Sequence, residues 1–399
     1  MYKPVFSVSR RMKAVQAPVI PQIAELIRAH PGCISLGQGV AWYCPPREVE
    51  KCIEGFCRIP AHHKYGSVEG IPPLREIIQE KLRTENGWAG EDDARVVVTA
   101  GANMGFLNAV LATTDPGDEV ILPLPYYFNQ EMALRMLNCI PVFVPTDDHY
   151  QLQIDRIEKA ISDRTRAVVT ISPNNPTGAV YSEAVLRQIN ELCRRRGLYH
   201  ISDEAYENFV YDGAAHFSPV SIQASERHTI SLFSLSKAYG FASWRIGYMV
   251  FPAHLHSAVL KAQDTNLICA PLISQYAAVA ALQVGSSYCR EKLAVTRRVR
   301  EIVLGELEEI RDFSRIPQVQ GAFYLLVRVD TPFDSMTVAE RLIREHGVAV
   351  IPGTAFGLAE GCSLRVAYGA LDEQIAAEGI RRFTGGLRAI CRPGSAPGH

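Results

Sequence analysis

The sequence predicts an α/β fold in which helices cover both faces of a mainly parallel sheet. Two observations carry this prediction. Short runs rich in β-branched residues end in Gly, Pro or Asp, and helix-patterned segments separate them. Because these runs are apolar throughout, both faces of the sheet are expected to be buried. The predicted strands are residues 95–99, 119–122, 167–171, 198–202, 229–233 and 246–251.

The segment from Ser182 to Gly197 illustrates how the helices are recognised. Ser182 is a suitable N-cap, and Gly197 is a suitable stop after three arginines in the last turn. The apolar residues between them fall on one face, which is expected to pack on the sheet: Val185, Leu186, Ile189, Leu192 and Cys193.

The pattern changes after about residue 285, which predicts a second and smaller domain. Its predicted elements are a long charged helix at 288–311, a strand at 322–329, a helix at 336–346 and a strand at 363–367. The predicted division is an N-terminal arm (1–30), a small domain (31–50 with 286–391), a large domain (51–285) and a disordered tail rich in Pro and Gly (392–399).

Composition favours a small-molecule partner. The 399 residues include 41 basic and 42 acidic side chains, so no net field would attract nucleic acid or an anionic membrane. Ten scattered cysteines without a CxxC pair argue against a disulfide framework or a metal site. No run reaches the roughly 18 apolar residues of a membrane span. The basic N-terminal stretch lacks an apolar signal core, so a cytoplasmic location is expected.

A candidate phosphate site follows the predicted strand 95–99. The small residues Gly101, Ala102 and Asn103 lead into a helix at 106–112. Backbone N–H groups at a helix start attract anions, and small side chains let the anion approach. Alone the signal is weak, since many strand-to-helix turns use Gly and Ala for packing.

Polar side chains follow two further predicted strands. Asn175 lies in a Pro- and Gly-rich turn after strand 167–171, and Asp203 ends strand 198–202 with Tyr206 one helical turn later. Open α/β sheets bind ligands at the carboxyl ends of their strands. An amide there can donate to a ring oxygen, and a carboxylate can pair with a protonated pyridine nitrogen.

Lys237 ends a further strand in the run Ser-Leu-Ser-Lys-Ala-Tyr-Gly. Ser234, Ser236 and Arg245 would suit a phosphate dianion, while the lysine amine would form an imine with an aldehyde. Together with the other strand-end groups, Lys237 predicts a site for pyridoxal phosphate.

These stretches resemble class I/II aminotransferases, the fold-type I pyridoxal phosphate enzymes, over nearly the whole chain. The resemblance implies a seven-stranded, mainly parallel sheet between helices plus a smaller α+β domain. It also implies that Lys237 forms the internal Schiff base and moves the substrate proton. The other cofactor-binding residues implied by the match are Gly101, Ala102, Asn103, Tyr127, Asn175, Asp203, Tyr206, Ser234, Ser236, Arg245 and, from a neighbouring subunit, Tyr65.

The same resemblance implies a substrate site and an assembly. Arg365 matches the arginine that binds the substrate α-carboxylate, and Gly39 matches the loop that closes over it, with Asn175 beside them. A homodimer with shared active sites follows from Tyr65. The usual loop is replaced here by one containing Trp42, which either lines the side-chain pocket or packs elsewhere.

The runs around Tyr127 and Lys237 resemble plant-type aromatic and methionine aminotransferases most. The expected reaction exchanges the α-amino group between an apolar, aromatic or methionine-like amino acid and a 2-oxo acid. Elimination, substitution or ring closure on a methionine-derived substrate such as S-adenosylmethionine is the alternative, because the cofactor leaves several bonds open to cleavage. Two other functions are not expected. A ligand sensor fused to a DNA-binding module would need more residues before the loop at Gly39. A NAD-binding site would need a third glycine after Gly37-Gln38-Gly39, and this sequence lacks it.

Overall fold

The computed structural model describes residues 6–16, 19–90 and 93–391. The predicted disordered tail at 392–399 lies outside them. The strands are β1 (Ile34–Ser35), β2 (Ala94–Thr99), β3 (Glu119–Leu124), β4 (Ile140–Pro145), β5 (Thr165–Ile171), β6 (Tyr199–Asp203), β7 (Thr229–Ser234), β8 (Gly247–Pro252), β9 (Ser314–Arg315), β10 (Tyr324–Val329), β11 (Val348–Ala349), β12 (Ile351–Pro352) and β13 (Cys362–Ala367). The helices are α1 (Arg10–Ala14), α2 (Val19–Ala29), α3 (Glu48–Phe56), α4 (Pro72–Asn86), α5 (Ala102–Thr113), α6 (Phe128–Met136), α7 (Ile154–Lys159), α8 (Glu183–Arg196), α9 (Leu235–Ala238), α10 (His256–Leu267), α11 (Leu272–Val284), α12 (Ser286–Leu307), α13 (Ser335–His346) and α14 (Glu373–Cys391).

The largest sheet has seven strands in the order β2-β8-β7-β6-β5-β3-β4. Strands β3 to β7 pair in parallel, whereas β8 is antiparallel to both β7 and β2. Strand β2 therefore runs in the same direction as β7. As a result, the carboxyl ends of β2 to β7 lie at one edge of the sheet, and this confirms the predicted α/β fold.

Two details of the sheet differ from the sequence prediction. The run 246–251 was expected to be a parallel strand, but β8 is antiparallel. The connection from β7 contains only the four-residue helix α9, and parallel pairing needs a longer crossover. Strand β4 was not among the predicted runs, because Pro141 and Pro145 interrupt it. Proline is tolerated in β4 since this strand lies at the sheet edge.

Helix α8 forms as its sequence predicts. The Ser182 hydroxyl accepts a hydrogen bond from the Val185 N–H at 3.3 Å. Gly197 ends the helix at φ 67°, a left-handed conformation that favours glycine. The predicted face is buried at Leu186, Ile189, Leu192 and Cys193, and its apolar side chains join the core beside β3 and β5.

A second assembly contains the C-terminal third of the described chain. Its antiparallel sheet has the order β12-β13-β10-β9, and helices α12, α13 and α14 share one hydrophobic core with it. The N-terminal region joins this core through Ile23 and Leu36, and β1 pairs in parallel with β11. The exact domain boundaries stay a prediction.

Candidate active site

A cavity of about 370 Å³ opens at the edge where the parallel strands end. Its lining includes the strand-end side chains that the sequence singled out. The residues are Ala102, Asn103, Tyr127, Ile171, Asn175, Asp203, Ala205, Tyr206, Ser234, Ser236, Lys237 and Arg245. Loops that are far apart in the chain therefore bring amine, carboxylate, hydroxyl and guanidinium groups to one cavity.

One end of this cavity suits a phosphate group. Gly101 precedes α5 at φ 78°, and no side chain caps the helix start. Gly101 has a positive φ that other residues rarely adopt, and a Cβ atom there would also displace the Arg245 guanidinium. Arg245 also donates to the Ser236 hydroxyl at 3.3 Å. The helix N-terminus, a hydroxyl and a cation thus point to an anion.

Lys237 lies in the middle of the cavity on the short helix α9. The Ser234 side chain caps this helix, and the Tyr43 hydroxyl donates to the Lys237 carbonyl at 2.8 Å. The ammonium group donates to the Gly39 carbonyl at 2.5 Å. Burial, aided by the positive charges of Arg365 and Arg245, lowers the pKa of Lys237 to about 8. The free amine is therefore more accessible near neutral pH than in an ordinary lysine.

Asp203 is buried at the carboxyl end of β6, with 6% of its surface exposed. One carboxylate oxygen accepts from the Ala205 N–H at 3.2 Å and the other from the Gln130 amide at 2.9 Å. Burial raises the pKa of Asp203 to about 6, although these hydrogen bonds oppose the rise. Asp203 is thus a buried acceptor that faces the cavity.

Two buried tyrosines meet beside Lys237. The hydroxyls of Tyr206 and Tyr324 are 2.8 Å apart, and the Lys237 ammonium lies 5.9 Å from the centre of the Tyr206 ring. Burial raises the pKa of Tyr206, and it raises the pKa of Tyr324 to about 12. Both hydroxyls therefore remain protonated near neutral pH and can donate hydrogen bonds.

Arg365 on β13 is 3% exposed and lies next to the cavity. Its guanidinium donates to the Asn175 side-chain oxygen at 3.0 Å and to the Gly37 carbonyl at 2.8 Å. The guanidinium carbon lies 4.6 Å from the centre of the Tyr324 ring. Its Nε has no hydrogen-bond partner within the described residues. Two of its five N–H donors thus hold the side chain in place, and the others can serve a ligand.

A second cavity of about 340 Å³ adjoins the first and is lined mainly by apolar side chains. The two cavities share Tyr127, Asn175, Tyr206 and Lys237. The apolar side chains come from α2, the loop after β1, the start of α6 and β12: Ile20, Ile23, Ala24, Ile27, Val40, Phe128 and Ile351. Gly39 and Arg365 also line this cavity, so it can receive a carboxylate together with an apolar side chain.

The sequence profile of the family Aminotransferase class I and II matches residues 31–383. The chain is a class I and II aminotransferase.

Similar proteins that are named as aminotransferases agree with this assignment. The aromatic aminotransferase ISS1 of Arabidopsis thaliana is 34% identical over 97% of this chain and 98% of its own length. A probable aspartate/prephenate aminotransferase of Aquifex aeolicus is 36% identical over 82% of this chain and 84% of its own. The aspartate aminotransferase of Thermus thermophilus, solved with maleate, superposes with a TM-score of 0.88 at 32% identity, over 96% of this chain and all of its own. This enzyme is therefore a pyridoxal phosphate-dependent aminotransferase of fold-type I.

The residues of the first cavity fit pyridoxal phosphate. The cofactor's aldehyde needs an amine, which Lys237 offers, and its phosphate needs donors such as Ser236 and Arg245. A Cβ at Gly101 would occupy the space beside Arg245. The buried Asp203 carboxylate suits the protonated ring nitrogen. Each chemical feature of the cofactor thus has a matching group in the cavity.

Three predicted site residues of this aminotransferase do not line either cavity in the described chain, namely Gly101, Trp42 and Tyr65. Gly101 directly precedes Ala102, which lines the first cavity. Trp42 is 40% exposed, and its ring contacts Tyr43 edge-on at 5.5 Å between ring centres. Tyr65 is 81% exposed and lines a separate groove. Their predicted roles, in the side-chain pocket and at a neighbouring subunit's phosphate, stay predictions.

The sequence reasoning missed two polar residues of the site. Gln130 contacts Asp203, and Tyr324 contacts both Tyr206 and Arg365. Gln130 follows Tyr127 by three residues, a spacing that places both on one face of a helix start, so this signal was present. Tyr324 carries no comparable local signal, because its partners lie far from it in sequence, Tyr206 after β6 and Arg365 on β13.

No group of three or more His, Cys, Asp or Glu side chains within the described chain could hold a metal ion. Similarly, no helix in the described ranges is long and apolar enough to cross a membrane.

Proposed function

We propose that this aminotransferase exchanges the α-amino group between an apolar, aromatic or methionine-like amino acid and a 2-oxo acid. The observation that carries the proposal is the apolar lining of the second cavity directly beside Arg365. The basic side chains that line it are Lys237 and Arg365. Both have other roles in the proposal, so neither would pair with a second carboxylate of the substrate. A substrate with a second carboxylate would have to leave that charge beside Ile and Phe side chains, which is unfavourable.

In this proposal Arg365 binds the substrate α-carboxylate. Its buried guanidinium is already oriented by Asn175 and Gly37, so little side-chain entropy is lost on binding. The Tyr324 ring packs on the guanidinium face. Every amino donor shares the α-carboxylate, so Arg365 positions the substrate Cα next to Lys237 whatever the side chain is.

Pyridoxal phosphate, when bound, supplies an aldehyde that takes up amino groups and a ring that withdraws electrons from Cα. Lys237 is proposed to hold the cofactor covalently and, once released, to remove the proton from the substrate Cα with its amine. Its pKa of about 8 leaves an appreciable fraction of free amine near neutral pH. Asp203 holds the ring nitrogen protonated, Asn175 and Tyr206 donate to the ring hydroxyl, and Tyr127 packs on the ring face.

We further propose that the working unit is a homodimer with shared sites. Tyr65 is almost fully exposed and lies in a groove lined by apolar residues such as Phe56, Leu272 and Ile273. A second copy of the chain would cover this groove and bring Tyr65 to a neighbouring phosphate. Sedimentation of the holoenzyme should give a dimer, and mixing Lys237→Ala with Tyr65→Phe subunits should restore one intact site per hybrid.

The substrate proposal is tested with a panel of amino donors and one common 2-oxo acid. Phenylalanine, tyrosine, methionine and leucine should each give a kcat/KM at least about tenfold above aspartate and glutamate, since a buried unpaired carboxylate costs more than 1.4 kcal/mol. A preference for aspartate would contradict the proposed substrate class but not the family. The panel distinguishes two substrate classes that occur among similar proteins, since some are named as aromatic aminotransferases and others as aspartate aminotransferases.

The same donors, with S-adenosylmethionine added and the 2-oxo acid left out, decide between transamination and the alternative bond cleavages. Transamination converts each donor to its 2-oxo acid and leaves the cofactor in its amino form. Release of ammonia, a thiol or a thioether from methionine or S-adenosylmethionine would instead indicate elimination or ring closure. The relatives described above are all named as aminotransferases, which favours the first outcome.

A further inference from the structure

We propose that Gln130 is a positioning residue that keeps Asp203 in its ionised, cofactor-binding form. The inference rests on the proposed role of Asp203 as the partner of the cofactor ring nitrogen. It goes beyond that role because it assigns a function to a residue outside the cavity lining.

The geometry around Asp203 defines what Gln130 does. Gln130 is 2% exposed, and its amide nitrogen lies 2.9 Å from one Asp203 carboxylate oxygen. The other oxygen accepts from the Ala205 N–H. An ionised carboxylate only accepts hydrogen bonds, so the Gln130 group that faces it must be the NH₂ group. Both donors therefore stabilise the charged form of Asp203.

This stabilisation matters because the surroundings otherwise disfavour the charge. Burial raises the pKa of Asp203, and the neighbouring Glu204 raises it further. Lys237 is the cation that faces Asp203 and opposes the rise, while Tyr127 faces it from the start of α6. A neutral Asp203 could not pair with a protonated ring nitrogen. Loss of the Gln130 donor would therefore raise the pKa of Asp203 further and favour its neutral form.

Helix α6 places Gln130 close to Tyr127, which is proposed to pack on the cofactor ring. Tyr127 lines the cavity immediately before this helix, and Gln130 lies in its first turn. The side-chain oxygen of Gln130 has no hydrogen-bond partner within the described residues. Since this oxygen is left without a partner, the contact that holds the side chain in place is the one to Asp203.

The test measures cofactor release from the holoenzyme as a function of pH. Binding requires ionised Asp203, so affinity is full above the pKa of Asp203 and is lost as the pH falls through it. In Gln130→Met, which keeps the volume but removes the donor, the midpoint of this loss should rise by about one pH unit, and the cofactor should dissociate about tenfold more readily at pH 6.

Gln130→Glu separates electrostatics from packing. It keeps the size of the side chain but places a second carboxyl group against Asp203, so the midpoint should rise at least as far as in Gln130→Met. If Gln130 only fills space, Gln130→Met will keep the wild-type midpoint, and the proposal is overturned. If Gln130→Met does not fold, Gln130→Glu decides the question: an unchanged midpoint would show that the group at this position does not act on Asp203, which also overturns the proposal.

Two controls complete the design. Arg135→Met breaks the ion pair with Glu131 on the same helix at 2.9 Å without touching Asp203, so its midpoint should equal that of the wild type. Asp203→Asn should release the cofactor at every pH. If Asp203→Asn binds normally, the proposed role of Asp203 itself fails. If it releases the cofactor while both Gln130 variants behave as wild type, only the inference about Gln130 fails.

Discussion

The two cavities of this active site are built from different parts of the chain. The first is polar, and most of its side chains follow directly on strands of the seven-stranded sheet. The second is mainly apolar and combines helix α2 and the loop after β1 with strand β12, which lies more than 300 residues further along the chain. The residues proposed to bind the cofactor thus follow the sheet, whereas the segments proposed to select the substrate are brought together only in the folded chain.

The largest effect is expected at the centre of the polar cavity. Lys237→Ala removes both the covalent attachment of the cofactor and the proposed proton carrier, so kcat should fall on the order of 10⁴-fold or more. Borohydride reduction of the holoenzyme followed by mass spectrometry should show the cofactor on Lys237 in the wild type and no attachment in the variant.

Lys261→Ala, at an exposed position on α10, is the matched control and should retain full activity. A reducible attachment that persists in Lys237→Ala would show that another amine holds the cofactor. The proposed attachment of the cofactor to Lys237 would then be wrong.

The next effect tests the boundary between the cavities. Arg365→Met should lower kcat/KM by about 10²- to 10³-fold, because it removes a buried donor pair for the α-carboxylate. The loss should be similar for phenylalanine and methionine, since both carry this carboxylate. An amine without a carboxylate should react equally with both enzymes, and a loss there would contradict the assigned role.

A smaller and selective effect is expected in the apolar cavity. Ile20 on α2 lines it, so Ile20→Ala should lower kcat/KM for phenylalanine by about tenfold, which corresponds to removal of a few apolar groups from a pocket. The value for alanine as donor should change by less than about threefold. Ile375→Ala, at a position that is 45% exposed, is the control for a surface isoleucine. Equal losses for both donors would assign Ile20 to folding instead of specificity.

The contrast between the cavities also explains which features the sequence could predict. Strand-end residues such as Asp203 and Lys237 lie next to local signals, namely apolar runs with small or polar residues after them, and they line the predicted cavity. The direction of β8 depends on the length of its connection, which an apolar pattern does not report. Gln130 and Tyr324 act on partners 73 and 118 residues away, so their roles depend on tertiary contacts.

The smallest predicted effect concerns the residue that connects the two cavities. Tyr324 lines the apolar cavity, and its hydroxyl lies 2.8 Å from that of Tyr206, which lines both. Tyr324→Phe removes this hydrogen bond but keeps the ring against Arg365, so kcat/KM for phenylalanine should fall about three- to tenfold. The absorbance of the holoenzyme as a function of pH should shift as well, because Tyr206 is proposed to donate to the cofactor's ring hydroxyl.

A double-mutant cycle tests whether Tyr324 affects activity through Tyr206. If Tyr324 acts through Tyr206, adding Tyr324→Phe to Tyr206→Phe will cause little further loss, whereas independent roles give additive losses. Tyr368→Phe removes a hydroxyl that is equally buried but lies outside both cavities, so its absorbance titration should match the wild type. Additive losses with an unchanged titration in Tyr324→Phe would show that the two cavities work separately. Coupled losses would show that Tyr324 acts through the Tyr206 hydroxyl and so connects the two cavities.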